Sequence, residues 1–410
     1  MKRLGNREMI IQKFLIPIFY CLFILNFAFA QISPDSLFNQ KNLINPPAVD
    51  VDFLFHYYDQ DGEHSAVTGG EGTEKLRDYS SKIIINVLLD SVTKLNLNTG
   101  INHYTSASTD RIDHVSSASR ADTRAQIEAS YSKKVISKSM EYNFNAGGSV
   151  ESDYISASFG TRFSVFSKDE NRELQVGAKS FFDTWQLFFP NELRDSAHLT
   201  ILTDKRRTFD FSFTYNQALS RRWQAAISSN FVFQHGLLST PFHRVYFKNH
   251  TKAGLEVLPK FRVKFPISIR ANYFLGNHLI LRTFYRFYVD NFSILANSFQ
   301  IETVFKIGSS VSVFPFYRFY KQSNSAYFQE KGQHEFNALY RTSDYDLSNF
   351  HSHKTGIGLR YSPSNLFQKK QRQNSGQRFD FRKIALQFSH YRRSDGLSYF
   401  LASIQGGFSF

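Results

Sequence analysis

The sequence predicts an all-β protein, a transmembrane antiparallel up-and-down β-barrel of about sixteen strands, with roughly fourteen to eighteen as the bounds. Three observations carry this expectation. Apolar side chains fall on every second position over segments of about ten residues, the length a tilted spanning strand requires. The connections between these segments alternate between short and long, as outer-membrane barrels require, with 151–153 and 290–293 short on the long side and 363–378 long and basic on the short side as exceptions. The chain also ends on an aromatic residue, Phe410, closing a segment in which Phe400, Ala402, Ile404, Gly406 and Phe408 share its face.

The alternation is clearest from Phe261 to Tyr273. Phe261, Val263, Phe265, Ile267, Ile269, Ala271 and Tyr273 share one face, while Arg262, Lys264, Pro266, Ser268, Arg270 and Asn272 share the other. Phe209, Phe211, Phe213 and Tyr215 likewise oppose Asp210, Ser212, Thr214 and Asn216. Leu279, Leu281, Tyr285, Phe287 and Val289 oppose His278, Arg282 and Arg286, with Ile280 and Phe284 departing from the rule. Strands are expected at 49–57, 79–90, 92–104, 122–132, 139–150, 154–167, 172–183 and 207–217. The remainder are expected at 222–235, 260–273, 278–289, 294–307, 310–320, 353–362, 379–391 and 397–410. Pro266 and Pro315 fall within strands, where each removes a ladder donor, so a bulge or local break is expected at both. The period slips between Phe381 and Ile384, which places a bulge near Arg382.

The first thirty residues read as a cleaved signal peptide. A basic stretch with Lys2, Arg3, Arg7 and Lys13 precedes an apolar run, Phe14 to Phe29, that ends at Ala28-Phe29-Ala30. Residues 31–48 are then an N-terminal periplasmic segment, and 49–410 the barrel. Cys21, the single cysteine, lies in the signal, so thiol catalysis, disulfides and cysteine-ligated metals are excluded from the exported chain. The formal charge is +14, yet basic residues stand singly among 44 phenylalanines rather than in runs, which together with export argues against nucleic acid as a partner. The expected surroundings are outer-membrane lipid and the barrel-assembly machinery, for which Phe410 is the expected assembly signal.

The densest polar stretch is the first long connection, 58–78. Asp59, Asp61 and Glu63 offer hard oxygen ligands, a weak candidate for calcium, since Gly62 comes too early for an EF-hand loop. His64 and Ser65 are adjacent, a spacing from which base and nucleophile do not readily meet, so no enzyme activity is expected. The favoured reading is a glycine-shaped loop folded over or into the barrel, with Asp59, Asp61, Glu63, His64, Glu71 and Glu74 as plug residues.

A lipid-facing Arg or Lys costs about 2–4 kcal/mol near the midplane, so the basic residues on alternating faces must point into the lumen. They form a wall of Arg262, Lys264, Arg270, Arg282, Arg286, Arg318 and Arg360, with Glu302 as an acidic partner. Such a wall selects anions or is braced by acids, and the acidic first loop would complement it.

The segments DQDGEHSAVTGGEGTEKL, TSAS, SSASRADTR and LRTFYRFYVDNFSILA resemble an uncharacterised family of outer-membrane barrels from Gram-negative bacteria. Members are often encoded near a small lipoprotein, a periplasmic flavin transferase and thioredoxin-like proteins. The resemblance implies a barrel and a link to a flavin or redox system, but no cofactor and no activity that can be placed on residues. Two functions remain open. One is a channel or transporter passing small anionic solutes through a basic lumen. The other is a non-conducting scaffold that anchors a periplasmic, lipoprotein or surface partner.

Overall fold

The computed structural model describes residues 43–105, 121–193, 202–363 and 380–410. The expected signal peptide, most of segment 31–48 and nearly all of the basic connection 363–378 lie outside the described residues. The chain divides into a unit of Met1–Pro47 with Leu89–Ser91 and a unit of Ala48–Leu88 with Val92–Phe410 that carries the barrel.

The strands are β1 (Leu43–Asp61), β2 (Leu76–Asp90), β3 (Thr93–Thr105), β4 (Ala121–Val135), β5 (Met140–Val150) and β6 (Tyr154–Phe166). They continue with β7 (Arg172–Leu187), β8 (Leu202–Ala218), β9 (Trp223–Gly236), the two-residue strands β10 (Arg244–Val245) and β11 (Gly254–Leu255), and β12 (Phe261–Leu275). The last six are β13 (Leu279–Asp290), β14 (Leu295–Ile307), β15 (Val311–Gln322), β16 (Phe350–Tyr361), β17 (Asp380–Arg393) and β18 (Ser398–Ser409). All but β10 and β11 belong to one closed antiparallel sheet of sixteen strands, in which each strand pairs with its neighbours in sequence and β1 pairs with β18. The expected strands are therefore all present. The pair β10–β11, which the alternation does not reveal, stands apart inside the connection between β9 and β12.

Closure satisfies the ladder hydrogen bonds within the sheet, the condition for crossing lipid with strands. The seam runs from Asp50 opposite Ser409 to Asp61 opposite Ser398, extended by hydrogen bonds exchanged between Val49 and Phe410. On its inner side the seam is ionic. Arg382 donates to Asp50 (2.8 Å) and Asp52 (3.0 Å), and Lys383 lies 3.2 Å from Asp52. Two successive basic residues reach the same side because the β17–β18 register shifts between Phe381 and Lys383, the bulge that the period slip marks.

The pleat sends alternate residues out and in. Phe209, Phe211 and Phe213 are exposed on the outer face, as are Phe53, Ile127, Phe163, Val176, Ile269, Phe299, Ile357 and Phe388 on other strands. Asp210 and Ser212, between those phenylalanines, line an internal cavity. An apolar exterior around a polar interior is the pattern of a barrel solvated by lipid, and the protein resides in the bacterial outer membrane. Sixteen strands enclose a space wide enough for an aqueous lumen.

The two departures from alternation on β13 face inward. Ile280 packs with Val304, Phe314 and Phe274, and the Phe284 ring lies 5.6 Å from the Arg270 guanidinium and 5.7 Å from that of Arg286. The prolines interrupt pairing without shifting it. Pairing with β9 lapses at Phe265 and Pro266, and pairing of β15 with β14 lapses around Pro315, while the register on either side is unchanged.

Gly356 and Gly358 on β16 make room for the inward rings of Phe316 and Phe314, which occupy the places their Cβ atoms would take. Gly358→Val should destabilise the barrel by about 1–3 kcal/mol through overpacking, although valine favours strands. The temperature at which the unboiled protein loses its fast electrophoretic mobility should fall, and adding Phe314→Ala should restore most of the loss. An unchanged temperature in the single variant would refute the packing argument.

Candidate functional site

Three long connections, at 62–75, 237–260 and 323–349, lie at the same end of the barrel, which by the arrangement of outer-membrane barrels is the extracellular end. Residues 62–75, between β1 and β2, meet the 237–260 and 323–349 connections. Their approach depends on glycine. Gly69 and Gly70 have φ of 81° and 94°, and a Cβ at Gly69 would lie 2.6 Å from the Tyr246 ring. The His64 ring stacks on Tyr345 with centroids 3.9 Å apart, and its Nδ1 lies 3.0 Å from the Gly70 carbonyl. Arg244, buried, donates to the Val67 carbonyl (2.6 Å) and pairs with Glu192 (2.5 Å). Lys331 pairs with Glu71 at 2.7 Å, and Val257 and Arg341 exchange backbone bonds of 3.0 and 2.7 Å. His64 is thus a packing residue of an interlocked roof.

Beneath this roof is a cavity of about 820 Å³ bounded by both loops and strands. Val67, Glu74, His243 and Asp344 contribute from above, and Tyr58, Arg318, Tyr320, Lys354, Tyr391, Arg393 and Tyr399 from the wall. The rings of Tyr391 and Tyr399 stack 4.5 Å apart, Tyr58 lies 4.7 Å from Tyr399, and the Lys354 ammonium sits 5.3 Å from the Tyr399 centroid. Burial raises the carboxyl of Glu74 above its ordinary value, although it accepts a bond from the His64 backbone N–H.

The basic residues of the wall differ in how they are neutralised. Arg262 pairs with the buried Asp290, its Nε donating over 2.9 Å, and Lys264 stands opposite the same aspartate. Arg282 pairs with Glu302 at 2.8 Å. Arg270, Arg286, Arg318 and Arg360 make no ion pair among the described residues; Arg318 donates to Ser298 (3.1 Å), and Arg360 lies over the Phe314 ring (5.3 Å). Arg318 is moreover directly opposite Lys354 in the β15–β16 register. Like charges directly opposed across a ladder are destabilising. The other side of the lumen is balanced, with Lys179 pairing with Glu128 (2.5 Å) and standing opposite Asp210 around a second cavity of about 780 Å³.

The first connection is shorter than its sequence suggests, because β1 and β2 extend into it. Asp59 and Asp61 are therefore strand residues rather than loop residues. Asp59 lies 3.5 Å from Arg77, Asp61 accepts from the Gly62 N–H, and Glu63 is exposed. The acidic loop does not neutralise the basic wall: Glu71 meets Lys331, and Glu74 meets the His64 backbone. Loop acids reach the barrel at Asp346, which pairs with the strand residue Arg393 at 2.6 Å. Among the described residues, the groups of three that could share a cation are His243, Glu256 and Asp344, and Asp122, Glu151 and Asp153. Neither group has a spacing signal in the sequence. Inward tyrosines were equally illegible, because an amphipathic ring suits either face of a strand.

Asp122, Glu151 and Asp153 gather at the loop ends of β3–β6, where Tyr104 donates to Glu151 (2.6 Å). Burial and the two neighbouring acids hold the Asp153 carboxyl up at about 6. A carboxyl raised in the folded state binds its proton more tightly there than in the unfolded chain, so stability falls as pH rises from the ordinary 3.8 to about 6. Asp153→Asn should therefore raise thermal stability at pH 7.5, with the difference disappearing near pH 4. A constant difference across that range would refute the assignment.

Over residues 35–377 the sequence matches the profile of the family described as "Protein of unknown function (DUF3570)". No curated protein matches it. Among solved structures it is similar to the siderophore receptor PirA from Pseudomonas aeruginosa, at 10% identity and a TM-score of 0.41, over 84% of this chain and 56% of that one. The ferric enterobactin receptor PfeA from the same organism matches at 9% identity and 0.45, over 84% and 53%. OccK9 (OpdG), also from that organism, matches at 8% identity and 0.40, over 90% and 100%. The chain spans about half the length of the siderophore receptors it matches.

Proposed function

Since the chain belongs to the family of unknown function DUF3570, which supplies no activity to transfer, we propose from the geometry that it is a transporter or channel for small anionic solutes, taken from the cavity beneath the extracellular loops. The observation that carries this reading is Arg318 opposite Lys354 with no acid paired to either among the described residues. The juxtaposition costs stability in the empty barrel and is relieved when an anion lies between the two cations. The stacked tyrosines beside them offer flat apolar surface to a solute with a planar part. Arg286 and Arg270 continue the cationic surface along the wall.

In planar bilayers with a salt gradient, the reversal potential of the reconstituted barrel should show anion preference. Arg318→Glu with Lys354→Glu should abolish or invert it. Cation preference in the natural protein would overturn the reading.

The roof is the expected gate, and magnitudes identify its fastening. Asp346 is largely exposed, so its pair with Arg393 is worth under about 1 kcal/mol. Gln322 at the end of β15 is buried, and its amide donates to the carbonyls of Asp346 (3.0 Å) and Ser348 (2.6 Å). Gln322→Leu leaves these groups unsatisfied, at about 1–3 kcal/mol for each that remains buried. Longer open bursts than in the natural protein are expected, and indistinguishable traces would mean that the 323–349 connection is not the gate.

A non-conducting scaffold that binds a periplasmic or lipoprotein partner is the second reading, favoured by the interlocking of residues 62–75 with the 237–260 and 323–349 connections. Absence of conductance in both the natural protein and Gln322→Leu would favour it.

A further inference from the structure

We propose that His243, Glu256 and Asp344 form a binding site for one divalent transition-metal ion of the zinc class, fastening two extracellular connections together. His243 and Glu256 come from the 237–260 connection and Asp344 from 323–349. The ligand atoms of the three lie within 4.8 Å of one another. Three features distinguish the group from a chance meeting of polar side chains.

The first is the spacing. His243 Nδ1 is 3.7 Å from Glu256 Oε1 and 3.9 Å from Asp344 Oδ2. Both distances are too long for a hydrogen bond. Two ligands of a tetrahedral ion, each about 2.0–2.2 Å from the metal, stand about 3.4 Å apart, so a contraction of a few tenths of an ångström brings the imidazole to ligand spacing from each carboxylate. The second is that His243 Nδ1 is sealed from solvent and has no hydrogen-bond partner. A buried neutral ring nitrogen left so carries the cost of an unsatisfied polar group, which a proton or a metal ion held between it and the two carboxylates relieves.

The third is the orientation of the carboxylates by outer partners, as metal ligands require. Glu256, itself almost wholly buried, accepts from the Thr240 N–H (2.6 Å) and the Thr342 hydroxyl (2.5 Å). Asp344 Oδ1 accepts from the Asp346 N–H (2.9 Å), which turns Oδ2 toward the imidazole. One imidazole and two carboxylates suit zinc or manganese better than calcium, which takes oxygen ligands. Three protein ligands leave a coordination position free. His243 and Asp344 also line the 820 Å³ cavity.

The test uses the full barrel, refolded in detergent without a polyhistidine tag, stripped with EDTA and titrated with Zn²⁺ or Co²⁺. One equivalent of zinc should bind, Co²⁺ should give visible d–d absorption, and zinc should protect the 237–260 and 323–349 connections from protease. His243→Ala and Asp344→Asn should each weaken binding roughly tenfold or more and remove the absorption bands. Their heat-modifiable electrophoretic mobility should persist, because the ligands lie in loops and not in the sheet. No zinc bound to the natural protein, or equal affinity in the natural protein and both variants, would overturn the proposal. Loss of anion preference in the bilayer experiment would leave it standing, so the two readings fail separately.

Discussion

Everything in this structure depends on the requirement that backbone N–H and C=O groups within lipid find partners inside the sheet. A strand edge left open in hydrocarbon costs several kcal/mol per unsatisfied group, so the sheet must close. Closure through β1 and β18 fixes the pleat of all sixteen barrel strands at once, since a one-residue slip anywhere would turn a whole strand inside out. The phenylalanines then face lipid and the arginines face the lumen. The cationic surface from Arg270 to Arg318 follows from this constraint as directly as the apolar exterior does.

The two sides of the lumen use their charges differently. Around Lys179, Glu128 and Asp210 opposite signs interleave, and the result is a braced, neutral surface. Around Arg318 and Lys354 they do not, and the aromatic rings of Tyr399 and Tyr391 stand beside them in place of carboxylates. A cation held against a ring keeps most of its field available to a third party, whereas a salt bridge spends that field internally. This difference, more than the total number of basic residues, is what the proposed anion reading rests on.

How much of this was legible in the sequence follows from the range of each interaction. Strand positions, the Arg382 bulge and the meeting of Phe410 with Val49 all follow from local period and from closure. Ile280 and Phe284 broke the period because the lumen offers them partners: Ile280 packs with the inward Phe314 and Val304, and the Phe284 ring lies between the guanidinium groups of Arg270 and Arg286. The roof was not legible. His64 finds Tyr345, Arg244 finds Val67 and His243 lies near Asp344 across long stretches of sequence, and loops carry no periodicity to announce such meetings.

The ionic seam has a consequence for assembly. Before the barrel closes, the two terminal edges are free strands, each a template for pairing with another chain. The first edge carries Asp50 and Asp52, and the bulge beside the last presents Arg382 and Lys383. Two first edges from separate copies would bring four carboxylates together, while first and last edges attract. The register error that would accompany a slipped closure would also separate these charges from their partners. The charges at the seam thus match the first edge to the last edge of the same chain and not to a second first edge.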